Sequence, residues 1–160
     1  MAMSQSALAA ELTATELYDD VADAIQAWAD AYAAYFEGNG VTEGAQSNAV
    51  YVASGAIPAA KAAMVAAMGN LASNGAAAIE SGIIAFWGAL VPATAWPTTT
   101  AITPPTLLSG LASTLQSVFD ANTNSNATKV TAMGAIAEAV HTASQGGTAT
   151  WPSIGPQPII

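Results

Sequence analysis

The sequence predicts an all-α domain of five to six helices, bundle-like, with an extended Pro-rich C-terminal arm. Three observations carry that prediction. Apolar residues recur at helical spacing through each long segment. Glycine, asparagine and proline clusters cut the chain between those segments. Hydrophobic residues reach 52%, much of it alanine, the strongest helix former. The length suits one domain: residues 1–146 as the helical body, with a loop at 91–105, and 147–160 as the arm.

Residues 4–37 read as one long helix. Tyr18, Val21, Ile25, Trp28, Tyr32 and Tyr35 are spaced 3, 4, 3, 4 and 3 apart, which places them on one stripe. Leu8 and Leu12 continue an apolar face earlier, Ser4 or Ser6 caps the start, and Gly38-Asn39-Gly40 ends the helix. Residues 45–56 read as a short helix broken at Gly55. Pro58 suits the first turn of the next helix, Pro58 to Met68, whose alanines allow close packing. Gly69-Asn70 and Ser73-Asn74-Gly75 interrupt the chain before a helix from Ala76 to Leu90 that buries Ile79, Ile83, Phe86, Trp87 and Leu90.

Four prolines in Val91 to Pro105 argue for an extended loop. Thr103 is expected to cap a helix opened by Pro104 and Pro105 and carrying Leu107, Leu108, Leu111, Leu115, Val118 and Phe119. A last helix, Ala127 to Ser144, buries Val130, Met133, Ile136, Ala137 and Val140 and stops at Gly146-Gly147. The remaining residues, with Pro152, Pro156 and Pro158, form neither helix nor a regular ladder. Trp151, Ile154, Ile159 and Ile160 give this arm apolar teeth for a groove, its own or a neighbouring subunit's. Thr148 to Trp151 also suits strand addition to a partner's edge.

The chemical inventory is sparse. The chain has two basic side chains (Lys61 and Lys129), one histidine, no cysteine and a net charge of −9. Acid–base and anion-handling chemistry needs tuned titratable groups and cations, so an enzyme is not expected. A surface this acidic repels nucleic acid. No thiolate metal site or disulfide is possible, and no cofactor is expected. The N-terminus lacks the basic start of a secretory signal. The most apolar run, Ile83 to Val91 extended back to Ala76, contains Glu80 and stops at Pro92, too short for a membrane span.

Individual candidates read mostly as structure. His141, without a second histidine, reads as a helical residue near a C-terminus, where positive charge is favourable. Asp19, Asp20 and Asp23 lie on a helix rather than a cation-wrapping loop. Glu11, Glu16, Asp19, Asp20, Asp23, Asp30 and Glu37 together read as a solvated face. The sharper alternative is a negative wall lining a channel or repelling DNA. Asn126-Ala127-Thr128 matches a glycosylation sequon by chance. Trp28 and Trp87 sit on apolar faces. Trp96 and Trp151 each precede a proline and read either as subunit contacts or as lids on the chain's own core.

Six segments, SALAAEL, IPAAKAAM, AFWGALVPATAWP, AITPP, LLSGLASTLQSVFDANT and HTASQGGTATWPSIGPQPII, occur in an order that resembles a family of small structural proteins of tailed bacteriophages. The resemblance spans nearly the whole chain and brings no catalytic residue with it. It implies a virion component, assembled in the host cytoplasm, that binds itself in a ring or array and other virion structural proteins. The head–tail connector or neck is the favoured position, with baseplate, tail or head decoration as alternatives. Subunit contacts are expected at Trp96, Trp151, Ile154, Ile159 and Ile160. A competing reading is a small-molecule or lipid-binding helical module whose pocket is the Ala/Met/Trp interior.

Overall fold

The computed structural model describes residues 3–14, 20–37, 52–53, 55–93, 99–124, 128–152 and 155–159. Among them are six α-helices: α1 (Gln5–Ala14), α2 (Val21–Glu37), α3 (Ala56–Ala67), α4 (Gly75–Ala89), α5 (Leu111–Asn124) and α6 (Lys129–Ser144). Three short strands, β1 (Ala101–Thr103), β2 (Thr148–Trp151) and β3 (Gly155–Pro158), form a small antiparallel sheet in the order β1-β2-β3. The expected stop at Gly38-Asn39-Gly40 and most of the expected short helix at 45–56 lie outside the described residues.

Local capping chemistry sets the helix starts. Ser4 Oγ accepts the Ala7 N–H at α1, Asn74 Oδ1 accepts the Ala77 N–H at α4, and Thr128 Oγ1 accepts the Thr131 N–H at α6. Asp20 Oδ1 accepts the Ala22 N–H at 2.7 Å. That last cap corrects the single helix expected over 4–37. Asp20 starts a separate helix, so α1 and α2 are free to take different directions. Val21, expected on the buried stripe, lies at this new helix start and is 41% exposed. Val130 likewise sits in the first turn of α6, ahead of the buried stretch, and is 66% exposed rather than buried.

The helices close a cycle. Each packs on its successor in the chain, and α6 returns to pack on α1. Where α3 packs on α4, a Cβ added at Gly82 would come within 2.6 Å of Met68 Cγ. The glycine makes room for the side chains of Met64 and Met68, both fully buried. At the centre an aromatic cluster joins α2 to α4. Tyr32 and Phe36 each meet Phe86 edge-on at 5.1 and 5.3 Å, and Phe36 meets Trp87 at 5.3 Å. Edge-on pairs of this kind are worth about 0.5–1.5 kcal/mol beyond the area they bury.

The second half of the chain differs from expectation in two places. Thr103 does not cap a helix; it ends β1, and the chain passes Pro104 and Pro105 into a 3-10 turn (Thr106–Gly110) that leads to α5. The arm, expected to form no ladder, is a β-hairpin on its own chain, with β2 paired to β1 and to β3. The prolines are compatible because of register. Ile159 N–H donates to Gly147 O, so the odd-numbered backbone groups of β3 face β2. Pro156 and Pro158 therefore face outward, where a missing N–H breaks no ladder bond and gives an added strand nothing to receive. β2 is the central strand, so Thr148 to Trp151 is not free to add to a partner's edge.

Candidate functional site

The polar groups nearest the core cluster across three helices. Trp87 Nε1 donates to Tyr32 Oη at 2.8 Å, and Tyr32 Oη lies 2.9 Å from Ser144 Oγ. Tyr35 Oη lies 2.8 Å from His141 Nδ1. An indole N–H can only donate. Tyr32, accepting from Trp87, is free to donate its own O–H to Ser144 Oγ. Gln145 Nε2, an amide donor, lies 3.4 Å from His141 Nε2, which can accept from it with the ring proton on Nδ1 facing Tyr35 Oη. Burial pushes the Tyr32 phenol up to about 12, and burial together with neighbouring Tyr32 pushes Tyr35 higher still. Burial also lowers the pKa of His141 below its ordinary value.

This cluster holds a serine, a histidine and two tyrosines, and its hydrogen bonds tie α2 to α4 and α6. Ser144 and Tyr32 are fully buried, so neither can meet a substrate. Nδ1 of His141 is taken by Tyr35. The partners are 106 and 112 residues apart in sequence, so no local motif announces them. The available signal was indirect: Tyr32 and Tyr35 share the α2 stripe, while His141 and Ser144 stand one turn apart on α6.

The carboxylates are similarly placed. Glu80 of α4 accepts the Ala112 N–H at 2.7 Å, setting a negative charge at the N-terminal end of α5. Asp30 pairs with Lys61 across α2 and α3 at 2.7 Å and also accepts from Gln26. Glu11, Asp20, Asp23, Asp30 and Glu37 are all exposed, a solvated acidic side on α1 and α2. Asp19 lies outside the described residues. Among those described, no group of three or more His, Asp or Glu gathers to hold a metal, and no helix is long and apolar enough to cross a membrane.

The expected contact residues are not brought together as one exposed patch. Trp96, Ile154 and Ile160 lie outside the described residues. Trp151 is half-buried, and its Nε1 donates to Thr99 Oγ1 at 3.2 Å. Ile159 and Ala149 are both fully buried in the chain's own core. Of the two grooves considered for the arm, the described part lies in its own, with Ile159 in this chain's core.

The interior expected for a ligand is filled by Met64, Met68 and Trp87. A groove of about 460 Å³ lies elsewhere, between α5 and α6. Leu107, Leu111 and Val118 form one wall, and Ala135, Ala139 and Ala143 form the other. Thr114, Thr142 and Glu138 supply its polar groups. Leu107, expected within the helix that Pro104 and Pro105 open, lies in the 3-10 turn before α5. The 3-10 turn shifts its angular position ahead of α5, and it is 59% exposed at the groove's end.

No protein-family model, curated protein or solved structure matches this chain.

Proposed function

We propose that this chain is a non-enzymatic structural component of a tailed-phage virion, acting through shape and contact. The observation that carries the non-catalytic part is how its reactive groups are used. Glu80 caps a helix, Asp30 ties α2 to α3, and His141, Ser144, Tyr32 and Tyr35 bond one another across the helical cycle. The virion part rests on the resemblance of its ordered segments to small phage structural proteins.

The favoured position is the head–tail connector or neck. The acidic side of α1 and α2 suits a wall past which DNA slides without adhering. Self-association in a ring and contact with neighbouring virion proteins complete the proposal. Because Ile159 serves the chain's own core, the contacts fall to the helical body and its exposed apolar side chains.

Mass spectrometry of purified particles of the encoding phage tests this. The chain is expected at about six or twelve copies, the numbers closed rings on the tail axis favour. Hundreds of copies would move it to the capsid shell, and absence from particles would end the proposal.

A further inference from the structure

The groove between α5 and α6 is built from two helical tracks. Leu107, Leu111, Thr114 and Val118 follow one another at spacings of 4, 3 and 4 along the turn and α5. Ala135, Ala139 and Ala143 repeat every four residues along α6. A trough between two helices with a floor of alanines lets a third helix lie close and drop its own apolar ridge between them. Its walls are apolar over about three turns, the length an i, i+3, i+7 set of anchors spans.

Charge decides what kind of helix. Glu138 is exposed on the rim, and the chain as a whole carries −9. It has only two cations, and one of them, Lys61, is paired with Asp30 on α2. A second copy would bring another −9 and no cation-rich helix. We propose that the α5–α6 groove docks an amphipathic helix of another protein, one with an apolar stripe flanked by lysine or arginine that reaches Glu138. The inference rests on reading the chain as an assembly component and names the chemistry of one neighbour.

Fluorescence anisotropy with three labelled peptides of about five turns tests it. The first carries a leucine stripe flanked by lysines, the second the same stripe flanked by glutamates, and the third is a scrambled form of the first. Only the first is expected to bind. Ala139→Trp, which fills the trough, and Leu107→Asp, at an exposed position, are each expected to weaken it about tenfold or more. Glu138→Lys is expected to weaken it about threefold to tenfold. Circular dichroism checks folding, and Leu107→Asp carries the test if Ala139→Trp does not fold.

Equal binding of the scrambled peptide would reduce the effect to bulk charge and overturn the proposal, as would no binding at all. Dodecylammonium binding without peptide binding would assign the groove to a small amphiphile instead. Self-association in sedimentation that Ala139→Trp abolishes would assign it to a second copy. A chain found in particles that ignores the peptide loses this inference alone. A chain that binds the peptide but is absent from particles loses the virion reading alone.

Discussion

Replacing Gly147 with alanine is expected to destabilise the fold by about 1–6 kcal/mol, through sterics and the hydrogen bond those sterics endanger. The added Cβ would sit 2.5 Å from Trp87 Cη2, 2.7 Å from Cζ3 and 3.3 Å from Pro105 Cδ. Ordinary carbon contacts need about 3.5–4.0 Å, so the indole must retreat by about 1 Å. It has nowhere easy to go. Its Nε1 is bonded to Tyr32 at 2.8 Å, and its ring is edge-on to Phe36 at 5.3 Å. Overpacking of this kind costs about 1–3 kcal/mol. If the indole shift breaks the bond to fully buried Tyr32, a further cost of about 1–3 kcal/mol follows.

The assay is urea unfolding followed by far-ultraviolet circular dichroism, with Gly134→Ala as the control. Gly134 lies inside α6, where an added Cβ meets nothing within 4 Å. There the same substitution is expected to stabilise by about 0.5–1 kcal/mol through helix propensity. One chemical change should therefore give opposite signs at two sites. Should Gly147→Ala unfold within about 0.5 kcal/mol of the parent, the packing of Trp87 against the backbone of residue 147 is not as described here.

Three further outcomes are expected. Ile159→Ala should cost about 2–5 kcal/mol in chemical unfolding, because a fully buried side chain is removed; a latch residue waiting for a neighbour would cost almost nothing in the isolated chain. Glu80→Gln should lower stability by about 0.5–1 kcal/mol and lose its effect in high salt, since the carboxylate acts on the start of α5. Stability should decline at both ends of the pH scale, read as Tm against pH. The lowered pKa of His141 means stability is complete above its unfolded value of 6.5 and falls as the pH drops below it. The raised pKa of Tyr32 means stability is complete below 10.0 and falls as the pH rises from there toward about 12, with Tyr32 and Tyr35 ionising only as the chain unfolds.

Much of the helical layout was legible because it is local. Pro58 in the first turn of α3, the buried side of α4 and the stop at Gly146, whose φ is +88°, all follow from spacing and single-residue conformational preference. The failures are places where two local signals competed. Asp20 looked like one acid on a long polar face, and it caps a new helix. Thr103 and the arm prolines looked like loop chemistry, yet strand pairing with a distant segment absorbs them.

By itself the sequence determined that this is a helical, acidic protein with few groups able to do chemistry, because period, composition and charge are additive properties of the chain. Only the tertiary structure decided that α6 returns to α1 and that Trp87, Tyr32 and Ser144 share hydrogen bonds. The same is true of Ile159 filling its own core and of the open groove between α5 and α6. Those outcomes depend on pairings between residues far apart in the chain, whose free energy comes from desolvation and shape fit on meeting, and no local pattern encodes which partner will be met.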